Sequence, residues 1–376
     1  MFLSSYDELN EFCTRMRGAR VLAVDTEFLR ERTYHPKLCL IQVATHDEVA
    51  AIDALSIEDL SPLQELFEDD AITKVFHACD QDLEVILDHM GCVPRPLFDT
   101  QLAASFLGYR MQMGYGALVQ AYEGVHLNKA DGLTDWSKRP LDAEQLQYAE
   151  EDVIYLPRIY DRMMDALVRK GRLAWMDPEL EAIVESVLER RDPQNSYLHL
   201  KRSASLTRKQ LSVAREVCAW REEAASRRDI PKKWVMKDEI VVEICRRMPR
   251  TPERLRRIRG LDGISNRDAA QIVEAVTRGV EQDPMRYPNI RHKPRTNADL
   301  DSVLDLMYSM LRVLADRCGV AVPLIATRQD LASFATGNEH SSLSDGWRYE
   351  VAGRHLEGLL SGEVGLTVKD GRIEML

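Results

Sequence analysis

The sequence predicts an α/β domain, a mixed sheet flanked by helices, followed by one or two all-α domains. Three observations carry that expectation. Up to residue 177, short apolar runs with strand character, the first of them Val21-Leu22-Ala23-Val24, alternate with amphipathic helical stretches. From residue 206 onward apolar positions recur at helical spacing. The charge also changes sign along the chain: residues 1–177 carry 31 acidic and 17 basic side chains, whereas residues 201–280 carry 11 and 20. An acidic first domain beside a basic middle segment fits a part that houses metal joined to a part that holds a polyanion.

At 376 residues the chain exceeds one ordinary core and suits two or three. It lacks the roughly 20 consecutive apolar residues of a membrane span. Met1-Phe2-Leu3-Ser4-Ser5 has neither the basic nor the apolar region of a signal peptide, so a cytoplasmic location without a membrane partner is expected. The seven cysteines are odd in number, scattered and free of C-x-x-C spacing, which indicates reduced, mostly buried thiols and neither a disulfide framework nor a zinc site.

Taken in order, Tyr6 to Arg17 has Leu9, Phe12 and Met16 at helical spacing, with Gly18 as the expected cap. The opening strand, Val21 to Phe28, ends in two acids. Leu38 to Thr45 and Val49 to Ile52 read as two further strands joined by His46-Asp47-Glu48. A helix over Leu60–Phe67, a strand over Lys74–His77, a helix from Asp82 to Met90 stopped by Gly91, a strand over Leu97–Asp99 and a helix over Thr100–Leu107 complete the alternation. Asp142 to Val153 is a further helix.

The chemistry begins at the opening strand. Side chains alternate between the faces of a strand, so Asp25 and Glu27 share one face and repel each other unless a cation lies between them. Hard divalent ions such as magnesium or manganese would resolve that repulsion. Alone, the pair also fits a strand ending in solvated acids. Asp82 opens a helix after a short strand and offers a third carboxylate, although it could be a helix-capping acid, and Asp80 lies two residues away. Histidines 77 and 89 read as satisfied near-core residues rather than ligands. Tyr148 and Asp152, four apart on one helical face, place a phenol beside a fourth carboxylate. With an unperturbed pKa near 10, that phenol is better suited to orienting a water than to deprotonating it.

Together, Asp25-x-Glu27, Asp82 and Tyr148-x-x-x-Asp152 resemble the DEDD exonuclease superfamily, and the tyrosine is similar to that of its DEDDy branch. The stretches Asp25-Thr26-Glu27-Phe28, Tyr34 to Gln42, Phe98-Asp99-Thr100-Gln101 and Thr134 to Leu141 resemble the ribonuclease D family over the whole first domain. The resemblance implies a ribonuclease H-like exonuclease fold. It also implies that Asp25, Glu27, Asp82 and Asp152 ligate two divalent cations, Mg2+ or Mn2+, and that Tyr148 orients the attacking water. The family pattern favours Asp82 over Asp80 as the third ligand.

Asp229-Ile230-Pro231, Val235-Met236-Lys237-Asp238 and Ile244-Cys245 resemble an HRDC domain, the helicase and ribonuclease D C-terminal module. The expected division is an exonuclease domain over 1–177, a linker over 178–205, an HRDC domain over 206–285, and a second, diverged HRDC-like domain over 290–376. The last rests on an echo ninety residues on, in which Val235, Asp238, Val241, Ile244 and Cys245 are answered by Ile325, Arg328, Leu331, Phe334 and Ala335. Arg328 departs from the pattern.

Candidate substrate contacts are Gln42, for a terminal sugar, and Trp136, Lys138 and Arg139, in a loop where an aromatic could stack on a base and cations could meet phosphate. A loop anchored by a buried Trp, with solvated cations, is the competing reading. Arg246, Arg247, Arg250, Arg254, Arg256, Arg257 and Arg259 form the densest cationic run and fit a phosphate-binding surface. The family resemblance implies a metal-dependent 3′-5′ exoribonuclease releasing nucleoside 5′-monophosphates from single-stranded RNA 3′ ends, with transfer RNA precursors as substrate and no nucleotide cofactor. The rival readings are a DNA exonuclease of the same superfamily and a non-catalytic nucleic-acid tether. The sequence leaves the oligomeric state open.

Overall fold

The structure, a computed structural model, describes residues 1–127, 134–288, 298–337 and 341–376. It contains β1 (Phe2–Leu3), α1 (Tyr6–Met16), β2 (Val21–Leu29), β3 (Lys37–Ala44), β4 (Val49–Ile52), α2 (Ser61–Glu68), β5 (Thr73–Phe76), α3 (Asp80–Met90), β6 (Leu97–Asp99), α4 (Thr100–Leu107), α5 (Tyr115–Glu123), α6 (Ala143–Ile154) and α7 (Leu156–Arg169). The strands form one mixed sheet in the order β1-β4-β3-β2-β5-β6. Strands β3 and β4 pair antiparallel, while β2 with β5, β5 with β6 and β1 with β4 pair parallel. The expected mixed sheet is therefore present, and the sequence reading missed only its two-residue edge strand β1.

Local chemistry sets the element ends. Ser5 and Glu8 form a reciprocal capping box on α1, whose last residue is followed by Arg17 in helical conformation, so Gly18 lies one residue beyond the cap expected of it. Gly91, at φ 72, closes α3 as anticipated. Asp142 caps α6 in a second box with Gln145 rather than belonging to the helix. Tyr155 separates α6 from α7, capping the end of one and the start of the other.

The chain divides into two compact units. The first holds Met1–Glu27, Cys39–Ala182 and the C-terminal segment ending at Leu376; the second holds Phe28–Leu38 and the segment beginning at Ile183. The expected linker over 178–205 is instead structured. Helix α8 runs unbroken from Leu173 to Arg191 through Pro178 and spans the boundary between the units. Pro193–His199 and Ser203–Ser205 form 3-10 turns, and Leu200 and Leu206 are buried in the core of the second unit. Apolar side chains at those two positions, not composition, decide the matter: burying a leucine is worth about 2 kcal/mol, enough to hold a short polar segment down.

The second unit is built on α9 (Arg208–Arg228), α10 (Lys232–Val235), α11 (Asp238–Arg247), α12 (Pro252–Arg256) and α13 (Asn266–Glu281). Its core contains Val213, Val217, Val241, Ile244, Ile272 and Val276. At Gly279 a Cβ would lie 2.6 Å from Val213 Cα, so α9 and α13 cross too closely for any other residue there. Buried Arg221 donates to Asp238 at 2.7 Å and to the Met236 carbonyl, fixing α9 to the start of α11.

The ninety-residue echo extends to the helix boundaries. Helices α14 (Ala298–Cys318), α15 (Val322–Ile325) and α16 (Arg328–Ala335) each begin ninety residues after α9, α10 and α11. Where the first copy has Asp238 paired with buried Arg221, the second has Arg328, which turns outward to Asp305 at 2.5 Å and Asp301 at 3.5 Å. The copies then diverge into α17 (Gly346–Arg348), a π-helical turn (Tyr349–Gly353), α18 (Arg354–Ser361) and the hairpin β7 (Leu366–Lys369) and β8 (Arg372–Met375). The expected start of this domain at residue 290 lies outside the described residues.

A separate final domain is not what forms, however. Met307, Leu311, Leu331 and Trp347 share one buried cluster with Ala103, Phe106, Met163 and Leu167 of the exonuclease region. Trp347 stacks on Trp175 at 5.1 Å, and Glu179 accepts from Trp347 Nε1 and from the Arg348 guanidinium. Among the described residues no helix is long and apolar enough to cross a membrane. All seven cysteines are free thiols, six of them buried.

Candidate active site

Strand β2 delivers Asp25 and Glu27 to one face of the sheet. The buried run Val21–Val24 fixes this register, because a slip of one residue would carry both acids to the other face. Helix α6 brings Asp152. One oxygen each from Asp25, Glu27 and Asp152 lie within 4.8 Å of one another.

Asp82 comes from the first turn of α3. It is buried, whereas Asp80 at the first position of that helix is exposed, so only Asp82 points inward. Thr26 alternates with the two acids along β2, and its hydroxyl donates to Asp82 Oδ1 at 2.5 Å. Asp82 stands outside the close group of three oxygens, yet its charge is the strongest neighbouring influence on Asp25 after burial. The turn that presents α3 is held from elsewhere: Ala78 is in the left-handed region at φ 64, and the Cys79 N–H donates to Asp99 Oδ2 at 2.8 Å. A strained residue beside a functional group persists only when its surroundings over-determine it, and Asp99 supplies part of that constraint while also capping α4.

Burial first, and neighbouring carboxylates second, disfavour charge throughout the cluster. Asp25 is raised well above the ordinary carboxylate range by burial and then by Asp82, Asp152 and Glu27. Burial, with Asp152 and Asp82, pushes Glu27 up to about 8. Asp82 is raised to about 7 by burial despite the Thr26 hydrogen bond, and Asp152 to about 7 by burial despite a hydrogen bond from Tyr148. Among the described residues no cationic side chain is among the leading influences on these four acids. Clustered, desolvated hard-oxygen donors are the donor set that a divalent ion stabilises, so the residues present fit a metal. The Tyr148 phenol is itself raised by burial and by Asp152, Glu27 and Asp25, which keeps it protonated.

Several expected contacts are placed differently. Arg139 cannot be a phosphate ligand as it stands, because all five guanidinium N–H donors are committed. They go to Asp53 at 2.5 and 2.9 Å and to the carbonyls of Cys39, Trp136 and Lys138. It anchors the loop. Trp136 is buried, its ring 6.1 Å from that of Tyr148, so it packs behind the phenol rather than presenting a face to a base. Lys138 is exposed, 3.9 Å from Asp135. Gln42 is 0% exposed, and neither its amide nitrogen nor its amide oxygen has a hydrogen-bond partner among the described residues. It therefore cannot reach a sugar without movement, nor is it solvated. His77 lies 2.9 Å from Thr100 Oγ1 and from the Met113 carbonyl, satisfied as expected, whereas His89, whose ring donates to the Val85 carbonyl one turn back, is exposed rather than near the core.

In the second unit, Arg246 donates to Ser205 at 3.0 Å, Arg247 pairs with Glu243 at 2.5 Å, Arg250 lies 3.6 Å from Glu281, and Arg256 donates to Asn266 at 2.6 Å. Arg254, Arg257 and Arg259 are exposed, with no ion pair among the described residues. The cationic run is thus partly neutralised locally. Sequence reasoning did not single out Thr26, Asp53, Asp99 or Tyr115, whose hydroxyl donates to the Glu151 carbonyl at 2.8 Å on the metal-facing helix. An acid–x–acid spacing marks the acids and is silent about the residue between them.

The 3′-5′ exonuclease family matches residues 2–168, and the HRDC domain family matches residues 210–276. The ribonuclease D of Sphingobium indicum is 40% identical over 98% of this chain and 96% of its own length, and that of Nitrobacter hamburgensis is 38% identical over 97% and 96%. The crystal structure of Escherichia coli RNase D, an exoribonuclease involved in structured RNA processing, superposes with a TM-score of 0.81 at 29% identity, covering 96% of this chain and 98% of that one. A half-buried carboxylate cluster fit for metal, on a sheet whose sequence matches the exonuclease family and followed along the chain by an HRDC match, leads to one assignment: the chain belongs to the ribonuclease D family of metal-dependent 3′-5′ exoribonucleases.

Proposed function

We infer that Asp25, Glu27, Asp82 and Asp152 hold two divalent cations, Mg2+ or Mn2+, and that Tyr148 orients the water that cleaves the terminal phosphodiester of single-stranded RNA. The observation that carries this reading is the meeting of three carboxylate oxygens within 4.8 Å in a site that disfavours their charge. Bound there, such ions supply Lewis acidity to both the entering and the leaving oxygen of an in-line displacement at phosphorus. The chain's own part is positional. Tyr148 donates a hydrogen bond to Asp152 and keeps its proton, which leaves the phenol oxygen free to accept from the water. The water oxygen bonds to phosphorus and gives up a proton, the bond from phosphorus to the 3′ oxygen of the preceding sugar breaks, that oxygen takes up a proton to become the new 3′ hydroxyl, and the terminal residue departs as a nucleoside 5′-monophosphate. Lys138 and the exposed arginines 246, 247, 250, 254 and 257 hold the RNA backbone, so binding weakens steeply with salt. Transfer RNA precursors in the cytoplasm are the natural substrate of this reading.

Replacing Asp25 by Asn tests the metal assignment. Cleavage of a 5′-labelled RNA falls below detection while RNA affinity stays within about twofold, because the basic surface is untouched. Full activity in this variant would falsify the assignment. Matched RNA and DNA oligonucleotides separate the exoribonuclease from a DNA exonuclease, and a strong DNA preference would overturn the RNA reading.

A further inference from the structure

The strand that carries Asp25 and Glu27 runs on to Leu29, and from Phe28 to Leu38 the chain is counted with the helical unit rather than with the sheet. The C-terminal end of α9 takes part in holding that loop. Asp229 Oδ1 accepts the backbone N–H groups of Tyr34, at 3.1 Å, and His35, at 3.0 Å. One turn earlier on the same helix, Ser226 Oγ lies 3.0 Å from His35 Nε2. A single carboxylate oxygen thus joins two consecutive amides, a charge-assisted arrangement stronger than a pair of neutral hydrogen bonds.

Asp229 is an unexpected residue for its backbone. It caps α9 in the left-handed conformation, φ 47, a region that suits glycine and is disfavoured for residues with a Cβ. The internal repeat provides the control. Ninety residues on, at the end of the equally long helix α14, the chain makes the corresponding turn with Gly319, φ 63. The turn itself therefore needs only a glycine. The first copy carries a side chain there at a conformational cost, and that side chain is used on the loop that leaves the acidic strand.

We propose that Asp229 is a positioning residue for the exonuclease reaction: by holding the Tyr34 and His35 amides it fixes the chain leaving Glu27, and with it the set of the Asp25 and Glu27 carboxylates. This rests on those two acids holding metal, as inferred above. Small displacements at a reacting centre are costly, with a shift of about 1 Å able to lower a rate on the order of 100-fold, so partial loosening of the strand's exit lowers turnover well before it unfolds anything.

Asp229→Gly removes the carboxylate and keeps a residue suited to the turn. Expected are a roughly tenfold fall in kcat on a single-stranded RNA oligonucleotide, KM within about twofold, faster hydrogen exchange at the Tyr34 and His35 amides, and no fall in Tm. Asp229→Asn, which tolerates the same backbone and retains an acceptor oxygen, recovers most of the turnover. Wild-type kcat in Asp229→Gly, or unchanged exchange at the two amides, overturns the proposal. So does a fall in Tm that Asp229→Asn fails to restore, since that is the behaviour of a residue needed only for the fold. Asp25→Asn, measured alongside, keeps the two readings apart: its activity tests the metal site whatever Asp229 does.

Discussion

Thr26 donates its hydroxyl to Asp82 at 2.5 Å, although the two residues are 56 positions apart and Thr26 sits between two acids that the sequence marks far more plainly. The bond fixes the orientation of a buried carboxylate that approaches from a different element. Partners of this kind, behind the ligands themselves, typically govern metal affinity or activity by about 10- to 100-fold. Thr26→Val, which keeps the shape and removes the donor, is expected to lower the rate within that range and to raise the metal concentration giving half-maximal rate. Thr26→Ser is expected to restore both. A metal titration of the initial rate decides it, and a Val variant with the wild-type curve would remove the positioning role.

Tyr148 is kept protonated by burial and by the surrounding carboxylates, so it orients rather than ionises. Tyr148→Phe is expected to reduce kcat about 10- to 100-fold without abolishing it, with RNA affinity unchanged. Single-turnover rates at saturating enzyme isolate that step. Because the phenol stays protonated, the wild-type rate should show no rise between pH 8 and 10 attributable to its deprotonation. A Phe variant with wild-type single-turnover rates would exclude the role.

How much of this was legible in the sequence follows from where each constraint lies. Period-2 and period-3.6 patterns are local, and they placed the central strands and helices α1 to α4 and α6 within a residue or two, along with Asp25, Glu27, Tyr148 and Asp152, while α5 and α7 were not anticipated. The repeat was legible because its apolar positions recur at a fixed offset. What stayed hidden depends on partners distant in sequence. Arg139 resembles a phosphate ligand until Asp53, 86 residues away, is seen to accept two of its N–H groups. The segment 178–205 has linker composition, yet two leucines carry it into a core. The C-terminal helices α14 to α16 begin ninety residues after α9 to α11, but composition cannot reveal which neighbour their apolar face covers.

Arg139 and Asp53 form a largely buried pair whose rupture from one side leaves an uncompensated charge. Such ruptures cost about 3–5 kcal/mol; with the Arg139 side chain 23% exposed, about 2–3 kcal/mol is expected for Arg139→Met at neutral pH. Burial alone would raise Asp53, but hydrogen bonds from Arg139, Ser56 and the Leu55 amide hold it below its ordinary 3.8. The sign follows: a depressed folded pKa contributes stability above pH 3.8 that is lost as pH falls through the lower folded value. The gap between wild type and Arg139→Met in urea unfolding should therefore be full at pH 7 and 5 and narrow below pH 4. A gap that does not change with pH would mean that the pair contributes nothing through its charge.

The last prediction concerns the C-terminal segment. Trp347 lies 5.3 Å from Phe106 and stacks on Trp175, and Arg172 donates to carbonyls at both Phe106 and Cys318. These contacts make the C-terminal segment part of the same hydrophobic core as Val153 of α6, the helix that carries Tyr148 and Asp152. Truncating a buried tryptophan to alanine costs about 3–5 kcal/mol, a large share of an ordinary domain's stability. Trp347→Ala is thus expected to lower the temperature at which exonuclease activity is lost by several degrees, with the loss of near-UV tryptophan signal coinciding with the loss of activity. A chain ending at residue 288 would leave Phe106, Met163 and Leu167 without their cover, and it is expected to show exposed apolar surface by dye binding and little activity. If the segment were instead an independent module, the shortened chain would fold and cleave RNA normally, and Trp347→Ala would leave the activity transition in place. Comparing the two variants by activity melt and near-UV circular dichroism distinguishes a shared core from an appended domain.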